Sequence, residues 1–285
     1  MSRSIRVPSE RPPQARFFVA YVDVLGFRQL VMGNRMPRAR SLDHKRRAGW
    51  WRKDAMYDMY NPVGKAFTSF HACFDKAVDK TDWESEATMM VFSDSIFIGT
   101  THAASCMSFC ETLTRYCIEA DVPVRTGIGY GTFVTHGFSF EANPRLKIVT
   151  TQFFGSAVVR AVDAERVLKG TRIALHPRAA KMLKEHHPEQ DDKLISLPPG
   201  IATKCASHEW SLLSSASEMG GMSDPDFVDQ EGRLLKHLSQ MRNDTPEKFK
   251  NHYTESIEAV ERMVKLRDRW IPEKDDDPDG GLDLL

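Results

Sequence analysis

The sequence predicts an α+β fold in which a mixed, largely antiparallel β-sheet is flanked by helices. Across residues 17–185, short β-rich runs alternate with segments of helical spacing in the order βαββαββαβα. Within residues 88–101, two apolar runs flank Ser93-Asp94-Ser95, a pattern typical of a tight hairpin and therefore of antiparallel neighbours. The remaining strands are separated by helices that serve as crossovers.

The individual elements follow from local patterns. Strands are expected where β-branched and aromatic residues crowd short runs, at 17–24, 89–92, 96–98, 123–135, 146–150 and 172–175. Helices are expected where apolar residues recur every three to four positions, at 55–80, 103–120, 155–169 and 177–185. In the fourth strand, Gly127, Gly129 and Gly131 lie on one face, where the missing side chains allow a neighbour to approach closely.

Composition divides the chain into segments. These are a flexible N-terminus at 1–16, a folded domain at 17–200, a C-terminal helical extension at 201–272 and an acidic disordered tail at 273–285. Residues 33–53 are strongly basic and are interpreted as a loop or an irregular insertion. The amphipathic helical pattern at 227–270 is expected either to pack along the domain or to contact a partner.

Charge and composition exclude several classes of protein. The 39 basic and 39 acidic side chains cancel, so we expect no nucleic-acid partner and no attraction to an anionic membrane. No apolar run is long enough for membrane insertion, and the N-terminus lacks the apolar run of a signal peptide. The five cysteines are an odd number without a CxxC pair, which indicates reduced thiols in a cytoplasmic protein.

Two carboxylates carry the strongest chemical signal. Asp23 lies near the end of the first strand and precedes a glycine turn at Gly26, whose backbone N–H groups are suited to cradling phosphates. Asp94 tops the predicted hairpin, so the two carboxylates converge if their strands pair. Hard oxygen ligands at one edge of a sheet suit magnesium or manganese.

A simpler interpretation needs no ligand. Asp23 would cap a turn, and Asp94 would occupy a hairpin tip because of its backbone preference. Each aspartate, however, has strongly apolar neighbours, and an unpaired carboxylate is costly among them. The pair together therefore favours the metal interpretation.

Four segments resemble the motifs of the class III nucleotide cyclase catalytic domain, over roughly residues 17–185. Residues 18–27, FVAYVDVLGF, resemble the first metal motif, F-x-D-[IL]-x-G-F-[ST]. Ser93-Asp94 takes the place of the family's Gly-Asp hairpin. Residues 124–131, VRTGIGYG, resemble the R-x-G-I-x-x-G strand, and residues 154–158, FGSAV, resemble W-G-x-x-V at the start of the third helix.

The resemblance implies a class III cyclase-type fold, derived from a ferredoxin-like arrangement, that closes a nucleoside triphosphate into a 3′,5′-cyclic monophosphate. Asp23, Asp94 and the Val24 carbonyl would bind two divalent cations, Mn²⁺ or Mg²⁺. One ion would lower the pKa of the ribose 3′-OH for in-line attack on the α-phosphorus, and the other would neutralise the leaving pyrophosphate. The residues near the β,γ-phosphates would be Leu25, Gly26, Phe27 and Arg28. The family works as a head-to-tail homodimer with shared active sites.

The chain departs from the family where the family stabilises the transition state. The asparagine and arginine of the third helix are replaced here by Val159 and Asp163. Arg160, Arg166 or a residue of the basic segment, such as Arg47, would supply the missing cation. For Arg160 and Arg166 the simpler interpretation, as solvated helix charges of little energetic weight, is the better supported of the two. Within the same basic segment, Trp50-Trp51 would either stack on a base or form an interface loop.

The chain also departs from the family in base recognition. Met90 stands at the position of the adenine-reading lysine and Gln152 at that of its partner aspartate. An amide offers both a donor and an acceptor, which suits a pyrimidine edge, although a surface glutamine is the simpler interpretation. Loss of the purine code on an intact metal frame resembles the bacterial pyrimidine cyclases of the Pycsar antiphage systems. Their Y-[VI]-D-[VIL]-L-G-F and F-S-D-S-I segments are similar to residues 21–27 and 92–96.

That resemblance implies a uridylate cyclase, which converts UTP into cyclic UMP as a second messenger read by a separate effector protein. Three alternatives stay open. They are a cytidylate cyclase acting on CTP, an adenylate or guanylate cyclase, and a catalytically silent cyclase-like domain that senses nucleotide.

Overall fold

The computed structural model describes residues 15–33, 62–143, 146–213 and 230–270. The strands are β1 (Arg16–Val24), β2 (Ala87–Val91), β3 (Ser95–Thr100), β4 (Val124–Thr132), β5 (Val134–Asn143), β6 (Leu146–Phe154), β7 (Ile173–Leu175), β8 (Leu194–Ser196) and β9 (His208–Trp210). The α-helices are α1 (Phe27–Gly33), α2 (Pro62–Lys80), α3 (Ala103–Glu119), α4 (Ser156–Glu165), α5 (Pro177–His186), α6 (Gln230–Asp244) and α7 (Glu247–Trp270).

Seven strands form the main sheet in the order β2-β3-β1-β4-β7-β9-β8, and β5 pairs with β6 in a separate hairpin. Within the main sheet, β4 and β7 run parallel and all other neighbours run antiparallel. The predicted α+β fold with a mixed, largely antiparallel sheet is confirmed.

Strand β1 buries both of its faces. Phe18, Ala20 and Val22 belong to the main core, which also contains buried residues of α2, α3, α6 and α7. Val19, on the opposite face, packs in a second cluster that includes Ala161 of α4. Full burial of a side chain such as Val19 is worth about 1.5–3 kcal/mol, so β1 is strongly fixed between these layers. All five cysteines are free thiols, and all but Cys205 are buried.

Helix α4 lies directly on the glycines of β4. A Cβ atom added to Gly129 would lie 2.6 Å from the backbone nitrogen of Ala161 and closer still to the carbonyl oxygen of Ala157. A Cβ atom at Gly127 would collide with the Ala161 carbonyl in the same way. The predicted close approach of a neighbour to this glycine face is confirmed, and it fixes α4 against the strand next to β1.

The structure differs from the predicted elements at several places, and α1, β8 and β9 were not predicted. The strand expected at 123–135 ends at residue 132, and β5 follows it as a strand of its own. No apolar run marks residues 134–143, which become a strand by pairing with β6. The helix expected at 155–169 ends at residue 165. The helical pattern at 227–270 is broken at Thr245-Pro246, because proline lacks the N–H that a continuous helix would need.

The C-terminal helices pack along the domain. Buried side chains of α6 and α7, among them Leu238 and Val260, join the main core. Strand β9 pairs with β7 and β8, so a boundary at residue 200 falls between two paired strands of the main sheet. Other predictions lie outside the described residues: most of the flexible N-terminus, nearly all of the basic segment with Arg47 and Trp50-Trp51, and the acidic tail.

Gly129→Ala tests the close packing of α4 on β4. We expect this variant to lower the free energy of unfolding by roughly 1–3 kcal/mol, since the added methyl group forces the helix away from the strand. Gly200→Ala is the control, because no atom lies within 4 Å of a Cβ built there. Urea denaturation of both variants measures the effect, and equal stabilities would contradict the packing described here.

Candidate functional site

A cavity of about 890 Å³ lies where β1 turns into α1. It is lined by the end of β1 and the turn after it, by the tip of the β2–β3 hairpin and by the loop before β4. The first turns of α2 and of α7 complete its walls. Cavities of this size are typical of small-molecule sites.

Strand pairing brings Asp23 and Asp94 to this cavity. Asp23 is opposite Ser95 in the antiparallel register of β1 with β3. The Val24 N–H donates to the Asp94 carbonyl oxygen across 2.9 Å, so the hairpin tip is bound directly to the end of β1. Both aspartates line the cavity. The two aspartates therefore share one cavity, and their joint role as cation ligands stays a prediction.

The surroundings of Asp23 disfavour its charge. Burial, together with the negative charges of Glu165 and Asp94, raises the pKa of Asp23 from 3.8 to about 6. The charge of Arg125 and a 3.3 Å hydrogen bond from the Tyr21 hydroxyl act in the opposite direction. Burial, with the charge of Asp23, raises the pKa of Tyr21 to about 12, so its phenol stays protonated and able to donate.

Arg125 is held by a different carboxylate. It is opposite Asp23 in the register of β1 with β4, and its side chain forms an ion pair with Glu165 at the end of α4. Arg125 also donates to the Leu168 carbonyl oxygen across 3.3 Å. Since Glu165 is only 3% exposed, its charge needs this guanidinium as a counterion. Arg125 therefore neutralises mainly Glu165 and compensates the charge of Asp23 only in part.

The turn after Asp23 forms one side of the cavity. Gly26 has φ +75°, a conformation that residues other than glycine rarely adopt. The Leu25 N–H donates to the Pro123 carbonyl oxygen across 2.8 Å, and the Leu30 N–H donates to the Gly26 carbonyl oxygen. Asp23, Val24 and all four residues predicted to lie near the phosphates contribute to the lining: Leu25, Gly26, Phe27 and Arg28.

These residues fit a divalent cation that is bound together with a phosphate ligand. Among the described ranges, no group of three or more His, Cys, Asp or Glu side chains could hold a metal ion. Mg²⁺ is usually bound through one or two carboxylates, with substrate phosphates and water as its other ligands. Asp23 and Asp94 supply two carboxylates that repel each other, and a shared cation would relieve that repulsion.

The other predicted site residues lie elsewhere. Met90 is 9% exposed and packs with Val19 and Phe97 in the second cluster. Gln152 is exposed on the β5–β6 hairpin, opposite His136. Neither residue lines the cavity of its own chain.

The two candidate cations of α4 are also outside the cavity. Arg160 donates to the Tyr130 carbonyl oxygen across 2.7 Å and to the Ser156 hydroxyl across 3.2 Å. Arg166 is exposed at the C-terminal cap of α4. Their predicted role requires that they act on a nucleotide held by a second copy of the chain.

Several residues that line the cavity were not predicted. Arg125 belongs to the VRTGIGYG motif at residues 124–131, but no local pattern assigned it a role. Lys65 comes from α2, and Phe249, His252 and Tyr253 come from α7. Their approach depends on tertiary packing, for which the sequence gives no local signal.

Comparison with known proteins yields similarity at the level of solved structures. No protein-family model matches the chain, and no curated protein matches it. The guanylate cyclase domain of RhGC from Catenaria anguillulae, solved in complex with GTP, is 14% identical with a TM-score of 0.43, covering 69% of this chain and 94% of that chain. The adenylyl cyclase CyaB from P. aeruginosa is 14% identical with a TM-score of 0.38, covering 69% and 92%.

An adenylate cyclase from Trypanosoma brucei, solved in its monomeric state, is 10% identical with a TM-score of 0.42, covering 71% of this chain and 89% of that chain. At such identities and scores, these matches carry no argument about function, which has to come from the site itself. Within the described helices, none has both the length and the hydropathy needed to cross a bilayer.

Asp23→Asn tests the electrostatics of the site. Because its pKa is raised in the folded protein, the Asp23 carboxyl binds a proton more tightly there than in the unfolded chain. Proton binding therefore stabilises the folded protein at low pH, and this stabilisation is lost as the pH rises through about 6. Without metal, we expect the Tm of the variant to match that of the unsubstituted protein near pH 4, to exceed it progressively as the pH rises to about 6, and to keep a constant excess above that pH.

Thermal unfolding in the presence of a chelator measures this difference. Asp75→Asn, at an exposed position of α2, is the control and should show no such trend. A Tm difference for Asp23→Asn that does not change with pH would contradict the repulsion inferred for this carboxylate.

Proposed function

We propose that the chain is a metal-dependent nucleotide cyclase, which converts a nucleoside triphosphate into a 3′,5′-cyclic monophosphate and pyrophosphate. One observation carries the proposal: Asp23 and Asp94 line one cavity together with the glycine turn at 25–28. Two carboxylates that repel each other beside such a turn suit a divalent cation bound to a polyphosphate.

The reaction needs a 3′-hydroxyl placed in line with the α-phosphorus and a polyphosphate held still. Asp23, Asp94 and the Val24 carbonyl would hold two divalent cations, which when bound supply positive charge to the phosphates and lower the pKa of the hydroxyl. The turn at 25–28 orients the β- and γ-phosphates, and Arg28 adds a cation at its end. A 3′-O–P bond forms, the bond between the α-phosphorus and the bridging oxygen breaks, and the hydroxyl proton passes to solvent.

The substrate we favour is UTP, with cyclic UMP as a second messenger that a separate effector reads in antiphage defence. The support is the resemblance to the pyrimidine cyclases and the presence of Met90 and Gln152 in place of the purine-reading pair. Gln152 is exposed, so its amide is free to meet a nucleotide bound by a second copy of the chain. Cytidylate and purine cyclase activities are the alternatives.

Turnover of a mixture of the four ribonucleotides with Mn²⁺ tests the proposal. We expect mass analysis to find a cyclic nucleotide, with cyclic UMP predominant, and a chelator to abolish its formation. Asp23→Ala and Asp94→Ala should each lower the rate by at least about a hundredfold, because each removes a cation ligand from the transition state.

The control is Asp79→Ala, at an exposed carboxylate farther along α2. It should keep the full rate, and all three variants should remain folded by circular dichroism. Full activity of Asp23→Ala or Asp94→Ala would disprove the metal role. No cyclic product from any ribonucleotide would favour a silent nucleotide-sensing domain, for which Val159 and Asp163 are the best indication.

We also propose a head-to-tail homodimer with shared sites. Phe92, Phe154 and Val159 are 46%, 60% and 60% exposed, large values for apolar side chains. Phe154 and Val159 flank the start of α4, near Gln152 and Arg160 in the sequence. A second copy that covered these side chains would bring Gln152 and Arg160 towards the cavity of its partner.

Val159→Glu tests this dimer. The variant should elute as a monomer at micromolar concentration and lose cyclase activity, since a buried charge at the interface is unfavourable. Val134→Glu places the same charge at another exposed apolar position, on β5, and its elution and activity are compared with those of Val159→Glu. A monomeric unsubstituted protein with full activity would contradict the shared sites.

A further inference from the structure

Polar contacts join the middle of helix α7 to β9 and to the segment before β7. The Ser256 hydroxyl accepts a hydrogen bond from the Thr171 N–H across 2.8 Å, just before β7. Farther along the helix, Arg262 contacts Glu209 of β9 across 2.9 Å. Glu209 is fully buried and also binds Arg172 through two hydrogen bonds of 2.5 and 2.6 Å. These contacts join α7 to the segment before β7 and to β9.

The beginning of α7 forms a wall of the cavity that contains Asp23 and Asp94. Phe249, His252 and Tyr253 line this wall, and Thr245 lies just before the helix. Tyr253 is partly buried against the main core, and its side chain is hydrogen-bonded to that of Thr245. This contact joins the start of α7 to the residue that precedes it.

His252 has an unused hydrogen-bonding atom at this wall. Its Nδ1 is buried and, among the described residues, has no hydrogen-bond partner. Burial and the nearby charge of Arg125 lower the pKa of His252, which favours the neutral imidazole, whose Nδ1 can donate or accept according to its tautomer. A buried polar atom without a partner is costly, which indicates that a ligand pairs with it.

Two basic side chains line the same cavity. Lys65 comes from α2 and Arg28 from α1, and both are exposed. Within the part of the chain that the structure describes, neither forms an ion pair with a carboxylate. Arg125 differs, because Glu165 already occupies its guanidinium. The cavity therefore combines two available cations with an unpartnered imidazole.

We propose that Lys65 and His252 bind the terminal phosphates of the nucleotide, and hence also the pyrophosphate product, within a single chain. The inference rests on the proposed function and adds to it a phosphate subsite built by α2 and the C-terminal helix. Phosphate oxygens can pair with the ammonium group of Lys65, the imidazole of His252 and the guanidinium of Arg28. A neutral base would leave the ammonium group unpaired. The C-terminal extension is then part of the active site.

Binding of inorganic tripolyphosphate in the presence of Mn²⁺, measured by isothermal titration calorimetry on the full chain, tests this subsite. Lys65→Ala and His252→Leu should each weaken binding about tenfold, the usual effect of losing one hydrogen bond to a charged group. Lys65→Arg keeps the cation, and His252→Asn keeps a polar atom near the position of Nδ1, so both should retain most of the affinity.

Lys80→Ala, at the far end of α2, is the matched control and should bind like the unsubstituted chain. Lys65 is an exposed helical residue, so its substitution leaves the fold intact and keeps the test valid even where His252→Leu unfolds. Unchanged affinity of Lys65→Ala, or no binding of tripolyphosphate by the unsubstituted chain, would overturn the proposal.

This result is separate from the outcome for the proposed function. If the chain binds tripolyphosphate through Lys65 and His252 but forms no cyclic nucleotide, the phosphate subsite is supported and the cyclase function is overturned. If the chain cyclises a nucleotide but the Lys65→Ala variant binds tripolyphosphate normally, the cyclase function is supported and the phosphate subsite is overturned.

Discussion

The pairing of β1 with β3 on one side and β4 on the other determines where the charged groups of the site lie. It places Asp23 opposite Ser95 and Arg125, and the Val24 N–H bonds the Asp94 carbonyl oxygen. A shift of the register by one residue would exchange Asp23 with Val22, which is fully buried in the main core. The apolar side chains of β1 prevent such a shift, and so they fix the carboxylates as well.

This arrangement sets stability against function. The core holds Asp23 near Asp94 and Glu165, although burial and both charges oppose its ionisation. Arg125 compensates Glu165 through their ion pair and Asp23 only partly. Carboxylates whose ionisation is opposed by their surroundings are common at functional sites, where a bound ligand can compensate their charge. Under the proposed function, Asp23 and Asp94 would hold a divalent cation, which would supply positive charge to a bound polyphosphate.

Local sequence patterns predicted the central part of the site. Asp23 follows an apolar run and precedes a glycine, and Asp94 lies between two apolar runs, so both positions were evident without tertiary information. The glycine face of β4 was evident for the same reason. Strand β5 was missed, because its pairing with β6 and not its own composition makes it a strand.

The remaining walls of the cavity depend on contacts between distant segments. Glu165 meets Arg125 only because α4 packs on β4, and α7 reaches the cavity only because it is fixed to the segment before β7 and to β9. No spacing in the sequence encodes such contacts, which is why Lys65 and His252 were not predicted.

The most direct measurement of the central claim is a crystal structure with Mn²⁺ and a nucleoside triphosphate whose α,β-bridging oxygen is replaced by a methylene group. Anomalous scattering at the manganese edge locates the ions without reference to the protein. We expect at least one ion within about 2.2 Å of carboxylate oxygens from both Asp23 and Asp94, and in contact with phosphate oxygens. Manganese bound elsewhere, or a triphosphate bound away from both aspartates, would contradict the account.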